Sequence, residues 1–143
     1  MLELKDFEEA KKRVDEVIIP TPLIYSPAFS KECRNVVYIK PENLQRTGAF
    51  KIRGAYNKIM KMDDESKSRG LIASSAGNHA QGVAYAAQQL GVKATIVMPA
   101  HTPLIKVDAT KALGAEVVLH GEVYDDAYNK AVELQKEHGY TFV

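Results

Sequence analysis

Residues 70–143 repeat one pattern: a short apolar run, a longer amphipathic run and then a glycine. The glycines Gly91, Gly114 and Gly139 each follow an amphipathic run, where a left-handed residue commonly ends a helix. Such alternation is typical of parallel strands joined by crossover helices. The sequence therefore predicts an α/β fold, with an open, twisted and mainly parallel sheet and helices on both faces. The predicted strands are 70–74, 92–98, 116–119 and 140–143, and the predicted helices are 78–90, 103–113 and 123–138.

The first fifty residues lack this alternation. Apolar residues at helical spacing predict a helix from Glu3 to Val17, and the prolines at 20 and 22 end it because proline removes a hydrogen-bond donor. Short strands are predicted at 23–25 and 36–40. From Ala49 the apolar spacing is helical again, so a further helix precedes the alternating region.

The charge, apolar content and cysteine count of the chain exclude several classes of function. The 19 basic and 18 acidic residues give a formal charge of +1 without a basic cluster, so we expect neither a nucleic-acid partner nor a membrane partner. The apolar stretches are too short to span a bilayer, and the N-terminus has no apolar signal segment. The single Cys33 allows no internal disulfide, and the four histidines lack ligand spacing. We therefore expect a cytoplasmic protein without a metal site.

A lysine occupies an unusual place at the start of the helix after Ala49. Lys51 falls in the first turn, where its charge opposes the helix dipole, and Gly48 and Ala49 precede it. Small residues let other groups approach the backbone closely, and first-turn N–H groups are free donors. An amine in this place can act as a nucleophile or base. The alternative is that Lys51, one of 14 lysines, is a solvated surface group.

A second stretch, residues 74–82, joins a predicted strand to a predicted helix. Gly77 at this turn lets backbone N–H groups point above the edge of the sheet, where the helix dipole helps them bind a carboxylate or phosphate. The turn also follows the carboxyl end of a parallel strand, where open α/β sheets place ligands. The alternative is that Ser75 and Asn78 only cap the helix.

Together the two stretches resemble the tryptophan-synthase-β-like (fold type II) pyridoxal-phosphate enzymes, and within them the serine/threonine dehydratases, or threonine ammonia-lyases. Residues 41–55 are similar to the cofactor-lysine signature of that family, and residues 75–82 to its Ser-x-Gly-Asn-His substrate loop. Residues 99–106 and 111–116 resemble the run that follows this loop. The resemblance covers the whole chain, which corresponds to the N-terminal third or so of a family catalytic chain.

The resemblance implies roles for individual residues. Lys51 would form a Schiff base with pyridoxal 5'-phosphate, Phe50 would pack against the pyridine ring, and Asn78 would hydrogen-bond its phenolic oxygen. The substrate carboxylate would be held by a loop made of Ser75, Ala76, Gly77, Asn78 and His79. Once the substrate amine had replaced Lys51 on the cofactor, the freed lysine amine would take the α-proton of the substrate. Loss of the β-hydroxyl would convert threonine to 2-oxobutanoate and ammonia, or serine to pyruvate, in isoleucine biosynthesis or threonine catabolism.

The same resemblance implies that part of the enzyme lies outside this chain. The glycine-rich loop that holds the cofactor phosphate would follow Val143, since the nine glycines here are scattered. Residues 1–50 would pack with a larger domain, and residues 51–143 would form a small mobile domain truncated at its last strand. We interpret the chain as an N-terminal fragment, inactive alone, of a protein that forms a homo-oligomer; a short edge strand at a true C-terminus is the alternative.

Two other functions compete with the dehydratase. Serine racemases resemble this sequence but carry serine immediately before the loop glycine, where it acts as a base; here that residue is Ala76, which carries no proton. The second alternative is a non-catalytic domain that binds a small anion or a partner subunit. Lys51 discriminates between the classes, because only an enzyme of this kind needs its amine.

Overall fold

The computed structural model describes residues 1–143, which form seven helices and six strands. The helices are α1 (Leu4–Val14), α2 (Pro27–Cys33), α3 (Lys51–Met60), α4 (Asp64–Ser68), α5 (Asn78–Leu90), α6 (Leu104–Ala112) and α7 (Tyr124–His138). The strands are β1 (Ile24–Tyr25), β2 (Tyr38–Ile39), β3 (Leu71–Ser74), β4 (Ala94–Met98), β5 (Glu116–Leu119) and β6 (Thr141–Phe142). Two 3₁₀ turns, Glu42–Leu44 and Arg46–Gly48, precede α3. None of the helices is both long and apolar enough to cross a membrane.

Four strands form a parallel sheet in the order β5-β4-β3-β6. The central strands β3 and β4 are buried along their whole length. One face of the sheet packs against α5 and α6, with α3 outside α5, and the other face packs against α7. The predicted α/β fold, with a parallel sheet and helices on both faces, is confirmed.

Alternation along the central strands divides the core between these faces. Ala73 and Ile96 belong to a large cluster on the α5 side. Their neighbours Ile72 and Val97 belong to a smaller cluster with Ala127 and Ala131 of α7. Because successive side chains of a strand point to opposite faces, each strand contributes to both clusters.

The glycines that were expected to end helices do so at α5 and α7. Gly91 and Gly139 lie directly after these helices with φ of +65° and +72°, a conformation that is costly for residues with a Cβ atom. The predicted bounds of α5 agree with the structure, whereas α1 ends at Val14 rather than Val17. Val17 and Ile18, which follow this helix, are buried in the large cluster.

The region before α3 differs most from the expectation. Strands β1 and β2 are two residues each and form a separate antiparallel pair, so the predicted strand 36–40 is shortened. No residue of β1, α2 or β2 is buried. The charged residues after α3 form the short helix α4, which Asp63 caps by accepting a 2.6 Å hydrogen bond from the Ser66 N–H.

Candidate active site

The lysine singled out by the sequence is the first residue of α3. Its side chain is exposed, takes part in no ion pair, and holds its Nζ 5.3 Å from the ring centroid of Phe50. Phe50 occupies the N-cap position and is itself more than half exposed. The amine and the aromatic ring therefore share one open surface at the start of the helix.

The residues before this helix follow an uncommon backbone path. Thr47 and Gly48 both have left-handed conformations, with φ of +63° and +68°. A Cβ atom at Gly48 would meet no heavy atom within 4 Å. The space beside this glycine is therefore open, and the glycine also supplies a backbone direction that other residues adopt at a cost. The Thr47 hydroxyl is buried without a hydrogen-bond partner.

An ion pair closes residues 42–53, which contain Lys51 and are called the lysine segment below. The Arg53 guanidinium donates to both carboxylate oxygens of Glu42, from Nε at 2.9 Å and from Nη2 at 2.8 Å. The Thr21 hydroxyl donates to the same carboxylate, and Thr21 is 2% exposed. Hydrogen bonding from Arg53, followed by that from Thr21, lowers the pKa of Glu42 to about 2, against a burial effect that raises it. The Glu42 carboxylate of the folded protein is therefore ionised at neutral pH.

A second contact fixes the same segment to the chain that follows α1. Gln45, which is 4% exposed, accepts a 2.8 Å hydrogen bond from the Ile19 N–H and donates one of 2.7 Å to the Ile19 carbonyl. This reciprocal pair satisfies both ends of a buried amide. The chain before Lys51 is therefore attached to the N-terminal region at two points.

The loop after β3 continues the parallel pairing and then turns into α5. The Ser75 N–H donates to the Val97 carbonyl at 3.1 Å, and the Gly77 N–H donates to the Ser75 hydroxyl at 3.3 Å. Gly77 is the N-cap residue of α5, and no side chain caps this helix. The alternative that Ser75 and Asn78 serve as caps is therefore wrong. The N–H groups of the first turn of α5 are left as free donors at its positive end.

Helices α3 and α5 bring the two stretches together. A Cβ atom at Gly82 would lie 3.1 Å from the carbonyl carbon of Lys51 and 3.2 Å from its Cβ atom, so glycine is what permits this approach. Asn78 lies one helical turn before Gly82 and hence on the same face of α5. Its exposed side chain is thereby placed on the side of α5 that faces the start of α3.

The remaining loop residues are partly buried. Ala76 packs against the large core cluster, and the His79 Nε2–H donates to the Val143 carbonyl at 3.1 Å, joining α5 to the end of β6. Sequence reasoning missed the contributions of Thr21 and Gln45, which are both buried. Their proximity to the lysine segment arises from tertiary contacts that no local pattern signals.

The candidate site is an open surface. None of the five cavities in the structure is lined by Lys51 or by residues 75–79. The groups that the sequence singles out are therefore displayed at the carboxyl edge of the sheet and at the adjoining start of α3.

A lysine beside the carboxyl edge of a parallel sheet lies where open α/β domains commonly bind ligands, and this defines the protein as an α/β domain with a candidate ligand site. The chain belongs to the family of pyridoxal-phosphate dependent enzymes, whose sequence model matches residues 14–143. It is similar to the L-threonine ammonia-lyase of Thermotoga maritima, with 50% identity over 143 residues. That match covers the whole of this chain and 36% of the relative.

Solved structures show the same fold. The processed form of threonine deaminase isoform 2 from Solanum lycopersicum superposes with a TM-score of 0.88 and 40% identity, over 99% of this chain and 40% of that one. Maize serine racemase superposes with a TM-score of 0.92 and 33% identity, over 99% of this chain and 43% of that one. The chain thus spans about two fifths of the length of these relatives.

Proposed function

We propose that the whole protein is a pyridoxal-phosphate dependent threonine/serine dehydratase, which removes water from L-threonine and, after hydrolysis, yields 2-oxobutanoate and ammonia. Identity of 50% to an L-threonine ammonia-lyase over the full length of this chain supports this activity. The structural observation that carries the proposal is the packing of Gly82 against the Lys51 backbone, which brings the start of α3 against α5, the helix whose first turn is uncapped. An elimination at an amino acid needs both an amine and a site for a carboxylate.

The residues present fit the cofactor's ring and aldehyde. Lys51 offers an amine free of ion pairs, Phe50 an exposed aromatic face, and Asn78 an exposed amide on the facing side of α5. We assign to Lys51 the covalent bond to the cofactor, to Phe50 a contact with the pyridine ring, and to Asn78 a hydrogen bond to its phenolic oxygen. The bound cofactor supplies a sink for the negative charge left when a proton leaves the substrate α-carbon.

The chain's own residues account for three further tasks. The Lys51 amine takes the α-proton once the substrate has displaced it. The free N–H groups at the start of α5 and the Ser75 hydroxyl bind the substrate carboxylate, because the positive end of the helix dipole favours an anion there. Gly77 and His79 shape this loop, the former as the N-cap residue and the latter through its bond to Val143.

Serine racemization is the second candidate function, and the structural similarity to maize serine racemase supports it. Ala76 argues against it, since the methyl group packs against the core and offers no proton on the second face of the substrate. Replacing Ala76 with serine in the complete polypeptide is therefore expected to add racemization of serine, measured by chiral chromatography. No added racemization in Ala76→Ser would contradict this account of the loop.

The exposed surfaces of the chain support a division into two parts. We assign residues 51–143 to a small mobile domain and residues 1–50 to a segment that packs with a larger domain outside this chain. Apolar side chains of residues 23–44 support this, because Leu23, Tyr38 and Leu44 are between 54% and 65% exposed. Val14 and Ile18 nonetheless join the core beside α3, so the segment also contacts the small domain. We further propose that the whole protein forms a homo-oligomer in the cytoplasm. Residues 1–143 alone are expected to be inactive.

Lys51 provides the decisive experiment. Borohydride treatment of the complete polypeptide with pyridoxal phosphate, followed by peptide mass mapping, is expected to label Lys51. Lys51→Ala should lose the label and reduce ammonia release from threonine by roughly a thousandfold or more, since proton transfer alone contributes about 10²–10⁴-fold. Lys58→Ala, at an exposed lysine of the same helix, is the matched control and should retain both. Labelling spread over many lysines would contradict the proposal and favour the non-catalytic alternative.

A further inference from the structure

An ion pair joins the two ends of the lysine segment. Glu42 lies nine residues before Lys51 and Arg53 two residues after it, so their bidentate ion pair closes a loop that contains the lysine. Bidentate contacts between a guanidinium and a carboxylate combine strength with a fixed geometry. The pair therefore sets the position of the first turn of α3 relative to the chain that leads into it.

Thr21 anchors this ion pair to the rest of the protein. Its hydroxyl donates to Glu42 and accepts a 3.4 Å contact from Arg53 Nη2, and its carbonyl accepts a 2.5 Å bond from Lys40 Nζ. The prolines on both sides of Thr21 restrict its backbone, and the residue is buried. Thr21 thereby fixes the Glu42 carboxylate to a part of the N-terminal segment whose backbone is restricted.

The loop that the ion pair closes has little regular structure of its own. It contains two 3₁₀ turns and the left-handed residues Thr47 and Gly48. A left-handed conformation is strained for threonine, and the buried Thr47 hydroxyl lacks a partner that would compensate. Such a segment keeps its path only where surrounding contacts impose it.

The Lys51 side chain itself has no restraint beyond the neighbouring ring of Phe50. The direction of its amine therefore depends on the backbone at the start of α3. Gly82 fixes that backbone from the side of α5, and the ion pair of Arg53 with Glu42 fixes it to the chain that leads into α3.

We propose that Thr21, Glu42 and Arg53 form a positioning triad that aims the amine of Lys51 at the cofactor. This inference rests on the proposed function, because it takes Lys51 as the cofactor-binding residue. The triad touches neither substrate nor cofactor, and it acts through the backbone of the loop. Disturbing it slows covalent attachment at Lys51 while the site's other groups remain in place.

The test measures the rate at which Lys51 becomes attached to pyridoxal phosphate in the complete polypeptide, by borohydride quenching at set times and mass mapping. Glu42→Gln is expected to slow attachment by roughly tenfold or more and to weaken the visible circular dichroism of the bound cofactor, since small misplacements of a reacting group cost up to about a hundredfold. Glu65→Gln is the matched control, because Glu65 also binds an arginine, Arg69 at 2.7 Å, on an exposed surface. Equal attachment rates in the two variants would overturn the inference.

A conservative pair at Thr21 separates positioning from folding. Thr21→Ser retains the hydroxyl and is expected to keep the wild-type attachment rate, whereas Thr21→Val lacks it and is expected to attach more slowly at a temperature where circular dichroism shows both variants fully folded. Equal rates for the two variants count against the triad. Failure of Lys51 to be labelled in the unsubstituted polypeptide would instead overturn the proposed function and this inference with it.

Discussion

Gly82 of α5 lies directly against the backbone of Lys51, where a Cβ atom would come within 3.1 Å of the lysine carbonyl carbon. The next nearest atom, the Ile52 nitrogen, would be 3.2 Å away. Backbone atoms cannot rotate aside as a flexible side chain can. The spacing between α3 and α5, and with it the relation of the lysine to the substrate loop, therefore depends on the absence of a side chain at one position.

Gly82→Ala is expected to lower the free energy of unfolding by about 1 kcal/mol. Overpacking costs about 1–3 kcal/mol, and the better helix propensity of alanine returns up to about 1 kcal/mol. Gly54→Ala is the control, because a Cβ atom there meets nothing within 4 Å on helix α3 and only the favourable contribution remains. Urea unfolding of both variants measures the difference. Equal stability changes would show that the close contact does not constrain the helices.

Gly48→Ala is expected to destabilise the protein by about 1–2 kcal/mol through backbone conformation alone, since the site has ample space but φ is +68°. Gly48→Asn should cost less, because asparagine adopts the left-handed conformation more readily than alanine. Thermal unfolding of the two variants gives the comparison. A larger loss for asparagine would point to steric crowding and contradict the conformational explanation.

The stability contributed by Glu42 is expected to depend on pH in the acid range. Its pKa is lowered from 4.5 to about 2, chiefly by hydrogen bonding from Arg53, so the folded state favours the ionised carboxylate. This contribution is fully present above pH 4.5 and is lost as the pH falls towards 2. The difference in unfolding free energy between wild type and Glu42→Gln should therefore shrink across that interval. Urea titrations at pH 7, 4 and 2.5 test this, and a constant difference would refute it.

His79→Ala is expected to loosen the edge strand β6. The His79 ring donates to the carbonyl of Val143, while the Val143 N–H donates to Ile72 at 2.9 Å. Without the ring, amide hydrogen exchange at Val143 should become faster by roughly fivefold or more, since one hydrogen bond contributes about 1 kcal/mol. His101→Ala, at an exposed loop position, should leave this exchange rate unchanged.

The sequence predicted best those elements whose signals are local. Helix α5 was predicted with its bounds because helical periodicity lies between Gly77 and Gly91, and both glycines act as the pattern indicates. The place of Lys51 in the first turn of α3 was predicted for the same reason. The order of strands could not be read, because the pairing of β6 with β3 joins residues about seventy positions apart.

The site was predicted less completely than the fold. Gly82 was recognised as part of a family-like stretch, but its contact with Lys51 arises from the approach of two helices and leaves no mark on local periodicity. The link between Thr21, Glu42 and Arg53 likewise joins three separate segments. At Gly48 the sequence showed only a small residue before Lys51, and the left-handed backbone conformation became visible only in the structure.

The antiparallel pair of β1 and β2 has a consequence for handling the 143-residue chain in solution. Two short strands with exposed apolar side chains and unpaired edges can accept a further strand from another molecule. At the millimolar concentrations of a spectroscopic sample, this pair of strands offers an edge at which copies of the isolated chain can associate. Charged substitutions at Ile24 and Tyr38 would raise its solubility limit without disturbing the parallel sheet, because neither residue contributes to the two core clusters.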